Sequence, residues 1–242
     1  KSWVTKKIFL QINLSNAGTA DDTVYIHPGL MFSSIKTFQL FPNNQLQQLK
    51  DESRVDGYQP LVINAGSKQS FIMALQPAKT IFNYLRPTVI QKNYIIEFQK
   101  INYYKYARQQ TVGYLFSGIL LMMFFFSLSN YLLSLKKEFL FNACYTGCIF
   151  LLIFFTTFFE RQSGVLASFF ASYTAFILLA AGTIFYIEFT RKFLNTPRNY
   201  PILNKVFVWE EWGVFIIILC FSYLHFFTSN FILEKQLENI MK

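Results

Sequence analysis

The chain has 242 residues and is basic, with 22 Lys and Arg against 13 Asp and Glu, and its mean hydropathy of +0.30 averages two unlike halves. Its basic residues are divided between those halves, with no Arg- or Lys-rich run and no glycine-rich phosphate loop, so the charge does not indicate nucleic-acid binding. Cys144, Cys148 and Cys220 lie inside apolar runs without an accompanying His, Asp or Glu. They are typical of small buried side chains and indicate neither a metal nor a redox centre.

The first half has the alternating pattern of β-strands. The segment KKIFLQINL places every second residue from Ile8 to Leu14 on one face, as in a half-buried strand. Further strands are predicted at TVYIH, around residues 34–41, and at TIFNYL and TVIQK, with LVIN and SFIMALQ as a hairpin about the turn AGSKQ. Short strands separated by turns predict an antiparallel sandwich over residues 1–92.

Residues 93–110 are predicted to be a linker that becomes the exposed first turns of a membrane helix. Tyr103, Tyr104 and Tyr106 lie just before a long apolar run. Aromatic rings at such a position favour the interface between lipid and water.

Residues 111–233 contain four predicted membrane helices, at about 111–135, 139–159, 164–187 and 208–230. Each overlaps a run without Asp, Glu, Lys or Arg that is long enough for the roughly 20 residues a helix needs to cross a bilayer. A core helix of a soluble protein rarely stays uncharged on all its faces. The charges at Lys136, Lys137 and Glu138 therefore predict a turn between two membrane helices, and residues 234–242 are expected to be a truncated outer loop.

The short loops predict the orientation. Lys136 and Lys137 follow the first span, and the loop after the third span is also basic, with Arg191, Lys192, Arg198 and Lys205. Between the second and third spans the sole basic residue is Arg161. Positive loops stay in the cytoplasm, so residues 1–110 are predicted to lie outside the cytoplasm.

Particular segments carry a family resemblance. The first span, GYLFSGILLMMFFFSLSNYLL, has small residues and an Asn-Tyr pair before a charged turn, and YIEFTRKFLNTPRNYPILNKV follows the third span. In the β half lie WVTKKIFLQINLSNAG and YQPLVINAGSKQSFIMALQ. Together these segments resemble the bacterial seven-transmembrane receptors with diverse intracellular signalling modules (7TM-DISM), with most of the family's type-2 extracellular domain and the first four of its helices.

The resemblance implies a receptor for signal transduction in a bacterial inner membrane, with residues 1–110 periplasmic or extracellular. Its extracellular domain would be a jelly roll similar to carbohydrate-binding modules. The family's output module is a histidine kinase, as in a two-component sensor, a cyclic-di-nucleotide enzyme, a phosphatase or a DNA-binding domain. On this comparison we expect the opening strand or strands of the sandwich, the last three helices and the output module to be missing from this sequence. The sequence places no Ser, His and Asp arrangement and no carboxylate pair for catalysis, so we predict no enzyme activity for this part of the protein.

Two sets of residues are candidates for function. In membrane helices, small residues allow two helices to approach closely, and polar residues form hydrogen bonds between helices. Glu188 and Arg191 have the spacing of a local ion pair. The helix-packing or relay candidates are Gly113, Ser117, Gly118, Asn130, Tyr131, Glu188 and Arg191. Rings on which a sugar stacks are the ligand candidates Tyr25, His27, Tyr58 and Tyr84. His225 is interpreted as a packing residue, with pH sensing as the alternative. No catalytic, metal or cofactor site is predicted.

The favoured hypothesis is a sensory receptor whose sandwich binds an unknown small-molecule ligand, with carbohydrate as one class, and whose helices relay the signal. The lipid bilayer is its expected surrounding, and a homodimer is compatible with the sequence. One alternative is a transporter or membrane enzyme with an accessory β-domain, which predicts ionisable groups at mid-membrane depth. Another is a membrane-anchored scaffold whose sandwich binds a protein.

Overall fold

The computed structural model describes residues 6–30, 32–41, 43, 45–49, 58–78, 84–159, 164–228 and 231–240. It divides the chain into two compact units, Lys1–Arg108 with Phe159–Phe169, and Gln109–Phe158 with Phe170–Lys242. Residues 80–83 of a predicted strand and residues 160–163 of the predicted outer loop lie outside the described residues.

The first unit contains two antiparallel sheets, as the sequence predicts for a sandwich. One sheet has the strand order β1-β6-β3-β4 and the other the order β5-β2-β7. The strands are β1 (Ile8–Ser15), β2 (Asp22–Leu30), β3 (Phe32–Leu40), β4 (Leu46–Gln48), β5 (Gln59–Ile63), β6 (Lys68–Pro77) and β7 (Tyr84–Gln91).

The core of this unit follows from the alternation of apolar residues. Phe71, Met73 and Leu75 of β6 are each at most 1% exposed. Their partners across the strand pair are the alternate apolar residues of β1, which pack against the same cluster. Phe9, between those residues, is 68% exposed. Burial of such a side chain contributes about 1.5–3 kcal/mol, so the pattern determines which face of each strand turns inward.

The predicted hairpin between LVIN and SFIMALQ is wrong. β5 pairs with β2, whereas β6 pairs with β1 and β3, so the turn at Gly66 carries the chain from one sheet to the other. Gly66 has a φ of +63°, in the left-handed region that glycine adopts without strain. Alternation identifies the inward face of a strand, but it does not specify the partner strand.

The helices begin where β7 ends. They are α1 (Ile95–Ser134), α2 (Lys137–Phe159), α3 (Val165–Phe169), α4 (Ala175–Phe193), α5 (Thr196–Asn199), α6 (Pro201–Phe227) and α7 (Phe231–Ile240). A 3-10 turn at Lys92–Tyr94 precedes α1, and a π-helical turn at Phe170–Thr174 joins α3 to α4. Most of the predicted linker is therefore the first part of α1.

Within the described part of the chain, four helical stretches are long and apolar enough to cross a membrane. They are Ala107–Ser134, Lys137–Phe159, Val165–Phe193 and Pro201–Phe227. Together with the separate β-domain they make this a multi-pass membrane protein. The turn after the first stretch is tight, since Leu135 has a φ of +54° and its N–H donates to the Tyr131 carbonyl at 2.7 Å.

Helices α1 and α2 approach each other closely at Gly113. A Cβ atom added to Gly113 would lie 2.3 Å from Thr157 Oγ1 and 3.1 Å from Thr157 Cβ. Farther along the same pair of helices, Asn142 Nδ2 donates a hydrogen bond to Ser127 Oγ at 2.7 Å. Close packing of a small residue and a hydrogen bond between side chains are the two interactions that hold helices together in lipid.

We predict that Gly113→Ala lowers the stability of the second unit by about 1–3 kcal/mol, because the new methyl carbon would lie 2.3 Å from Thr157 Oγ1 and 2.9 Å from Thr157 Cγ2, so the helices must move apart. The thermal midpoint in nanodiscs measures this change. Gly118→Ala is the matched control, since a Cβ there meets no atom within 4 Å. Equal midpoints for the two variants would contradict the close contact at Gly113.

Candidate functional site

Three of the predicted ligand residues lie on one face of the three-stranded sheet. Tyr25 and His27 alternate with Ile26 in β2, and Ile26 is fully buried on the core side. The His27 and Tyr58 rings are 4.8 Å apart between centroids. His27 Nδ1 also accepts a hydrogen bond from the Gly29 N–H at 3.1 Å. The three side chains therefore belong to the outer face of this sheet.

The start of α1 covers part of this outer face. The Phe98 ring meets the Tyr58 ring edge-on at 6.0 Å. Ile90 of β7 lies opposite Tyr25 and is 8% exposed, although it is on the outer side of the sheet. Ile95, the first residue of α1, is also buried. The predicted ligand residues thus lie next to the point where the sheet and the long helix meet.

Tyr84 lies elsewhere on the sheet. It opposes Leu30 at the other end of the β2–β7 pair, and its side chain is 52% exposed. Its carbonyl oxygen would be 1.9 Å from a Cβ atom at Gly29, whose φ is +131°. The β2–β7 pair shifts register at this point, so glycine is required for the strands to approach.

The small and polar candidates in the first span differ in their surroundings. Gly113 faces Thr157, whereas Gly118 has open space around it. Ser117 is buried, and its hydroxyl donates to the Gly113 carbonyl at 2.8 Å. The Asn130 side chain donates a hydrogen bond to the Phe126 carbonyl of its own helix at 2.8 Å. The Tyr131 carbonyl accepts the hydrogen bond from the Leu135 N–H at the turn.

Sequence reasoning missed the polar contact between α1 and α2. Ser127 is 3% exposed and accepts the hydrogen bond from Asn142. Thr146, one turn farther along α2, is 1% exposed and donates to the Asn142 carbonyl. The sequence did indicate such a contact, because an amide such as that of Asn142 in a charge-free span costs free energy in lipid unless it forms a hydrogen bond.

Arg191 is the centre of a charged network between the third and fourth spans. Its Nη1 pairs with Glu188 Oε1 on the same helix and with Glu211 Oε2 of α6 at 3.0 Å. The side chains of Arg191 and Glu188 are 17% and 16% exposed, and that of Glu211 is 28% exposed. Two carboxyl groups therefore share one guanidinium.

The loop between α4 and α6 completes this network. Arg191 Nε donates to Asn204 Oδ1 at 3.2 Å, and the Thr196 hydroxyl donates to the same oxygen at 3.2 Å. Thr196 is fully buried. Asn195 before it has a φ of +47°, a left-handed turn that asparagine tolerates better than most residues. The network thus holds the end of α4, the loop and the start of α6 together.

Chemistry that needs a bound metal has no evident site in the described part of the chain. Its His, Cys, Asp and Glu residues form no group of three suited to a metal ion. Cys144, Cys148 and Cys220 are free thiols in α2 and α6. The arrangement of the second unit is suited to holding helices in register by polar contacts at their ends.

Comparison with known proteins identifies the membrane part of the chain. A family model described as 7TM diverse intracellular signalling matches residues 109–235, more than half of the 242 residues. No curated protein matches the chain. The matched residues include the four apolar stretches almost entirely, and the β-sheet domain precedes them. The chain therefore belongs to the 7TM diverse intracellular signalling family, whose matched domain is a membrane signalling domain.

Proposed function

We propose that this protein is a sensory receptor of the bacterial inner membrane, in which the β-domain binds a small molecule outside the cytoplasm and the helices relay the event. The observation that carries the proposal is the continuity of α1. Its 40 residues run without interruption from Ile95, in the unit of the sheets, to Ser134 at the end of the first span. In this proposal, α1 is the part of the chain through which an event at the β-domain reaches the membrane helices.

The ligand region that we propose is the outer face of the three-stranded sheet, around Tyr25, His27 and Tyr58. Rings with polar groups nearby suit a carbohydrate, which stacks on ring faces and hydrogen-bonds at its hydroxyl groups. The contact of Tyr58 with Phe98 of α1 supports this location, because a ligand there changes the surroundings of the helix. A ligand shifts a receptor only if it binds two helix arrangements with different affinity.

We predict that neutral mono- and oligosaccharides include a ligand that raises the thermal midpoint of the intact chain in nanodiscs. A ligand at 100 times its Kd stabilises the folded state by about 2.7 kcal/mol. The same ligand should alter amide hydrogen exchange in the first turns of α1, while Tyr58→Ala should weaken binding. Failure of a broad screen to find a ligand would contradict the ligand proposal. Binding that leaves the hydrogen exchange of the first turns of α1 unchanged would contradict the relay.

We predict that Lys136 and Lys137 lie in the cytoplasm and that the loop between α2 and α3 lies outside it. Single cysteines at Ser134 and Ser163, in a background without Cys144, Cys148 and Cys220, test this with an impermeant thiol reagent on spheroplasts. Ser163→Cys should be labelled, and Ser134→Cys should be labelled after permeabilisation alone. The opposite pattern would place the β-domain in the cytoplasm, and the receptor proposal would fail.

We predict that the network around Arg191 holds α4 and α6 in register during signalling. Arg191→Gln leaves two carboxylates facing each other without a cation and should destabilise the helices by about 2–4 kcal/mol, measured as the thermal midpoint in nanodiscs. Lys192→Gln, next in sequence and exposed, is the matched control and should have little effect.

A double variant distinguishes repulsion between the two carboxylates from a general loss of folding. Adding Glu211→Gln to Arg191→Gln removes one of the two like charges, so part of the lost stability should return. No recovery, or a loss from Arg191→Gln no greater than that from Lys192→Gln, would show that the network does not hold the helices.

A further inference from the structure

A groove of about 580 Å³ lies between α4 and α6. Much of its wall is apolar, with Ile187 of α4 and Phe207, Val214 and Ile217 of α6. At 1.5 Å per residue, the stretch of α6 from Phe207 to Ile217 is about 15 Å long. Both helices belong to stretches that can cross a membrane. The volume is in the range of ligand pockets, about 300–1,000 Å³, so the groove is large enough for part of a small molecule or a lipid.

Oxygen atoms that accept hydrogen bonds line the end of the groove near the loop between α4 and α6. Glu210 of α6 and Thr190 of α4 lie there. The Thr190 hydroxyl donates its hydrogen to the Tyr186 carbonyl at 2.9 Å, so its oxygen offers lone pairs to the groove. Deeper along α4, the Thr183 hydroxyl donates to a carbonyl of its own helix in the same way, at 3.0 Å. This end of the groove therefore suits a positively charged group that donates hydrogen bonds.

Glu210 and its neighbour Glu211 serve different contacts. Glu211 pairs with Arg191, which also pairs with Glu188. Among the described residues Glu210 takes part in no such ion pair, and it lines the groove instead. An occupant of the groove can therefore supply the charge that complements this carboxylate.

Two tryptophans mark the depth of this end of the groove in the membrane. Trp209 and Trp212, on either side of the two carboxylates in the sequence, have exposed side chains. Exposed Trp residues on a membrane helix favour the level of the lipid headgroups. Glu210 is thus placed at headgroup level, whereas Ile217, about 10 Å farther along α6, is placed at the level of the acyl chains. The groove has the polarity of an amphiphile, charged at the interface and apolar toward the membrane interior.

We propose that the groove between α4 and α6 binds a phospholipid that carries a primary amine in its headgroup, of the phosphatidylethanolamine type. Its ammonium group, which has three hydrogen-bond donors, meets Glu210 and Thr190, and one acyl chain lies along the apolar wall. The site lies in the membrane helices and needs no ligand of the β-domain, so it goes beyond the receptor function proposed above.

The basic residues of the same region would select a different lipid. Lys192, Arg198 and Lys205 make the loop between α4 and α6 and its flanks basic. In the orientation proposed above this loop is cytoplasmic, and a basic segment at that surface attracts anionic lipids. A preference for an amine lipid without net charge over an anionic lipid would therefore come from a specific contact rather than from general attraction.

Native mass spectrometry of the full chain tests the proposal, after release from nanodiscs that contain equal amounts of phosphatidylethanolamine, phosphatidylcholine and phosphatidylglycerol. The protein should retain the amine lipid about tenfold more than either of the others, because hydrogen bonds to a carboxylate are strong and the choline headgroup has no N–H donor. Glu210→Gln should abolish this preference. Glu138→Gln, in the first turn of α2 and outside the groove, is the matched control and should retain it.

A larger side chain at Gly213 tests the groove independently of charge. Gly213 lines the groove, and a Cβ atom there would meet no atom within 4 Å. Gly213→Leu should therefore fill the groove without disturbing the fold and reduce the retained amine lipid to the level of the other two. Gly118→Leu, at a similarly open position of α1, should leave retention unchanged. The thermal midpoint in nanodiscs checks that each variant is folded.

Equal retention of the three lipids by the unaltered protein, or a preference for phosphatidylglycerol, would overturn the proposal without any variant. A preference for the amine lipid that persists in folded Glu210→Gln or Gly213→Leu protein would overturn it as well. If a helix of a second copy fills the groove, the spectrum should instead show a dimer without retained lipid that Gly213→Leu dissociates. That result would also overturn the lipid site.

Discussion

The free energy needed to place a charge in hydrocarbon, about 2.5–3.5 kcal/mol at the centre of a helix on insertion scales, governs the arrangement of the second half of this protein. Several of its charged side chains accordingly lie near helix ends. Lys136 and Lys137 lie at the turn between α1 and α2, and Arg191 is near the end of α4. The same cost forces charges that are partly buried to find partners, which is why Glu188 and Glu211 both meet one guanidinium.

The fold was largely predictable because its main signals are local. Alternation in β1 and β6 gave the inward faces of the strands, and charge-free runs gave the four membrane helices. The pairing of strands was not predictable in the same way, because β5 and β6 alternate equally well as a hairpin or as members of opposite sheets. Pairing depends on which arrangement buries more apolar surface, and that is a property of the whole domain.

The candidate sites were predictable only in part, for a related reason. Glu188 and Arg191 are one turn apart, so helical spacing alone brings them together. Glu211 joins them through the register of α6 against α4, which no local pattern encodes. The contact of Tyr58 with Phe98 likewise depends on where α1 begins, and α1 begins well before the apolar run that indicated a membrane helix.

The contacts between helices differ in kind, and this difference indicates where movement costs least. The pairs α1–α2 and α4–α6 are joined by directional hydrogen bonds, from Asn142 to Ser127 and from Arg191 to Glu211. Between α2 and α4, Gly182 packs against the Cβ atom of Cys148 and the side chain of Ile149, and these are apolar contacts. Apolar surfaces slide with little loss of free energy over small distances, whereas a hydrogen bond weakens steeply with misalignment. Of these three contacts, the one at Gly182 is therefore where a small displacement of one helix against the other costs the least free energy.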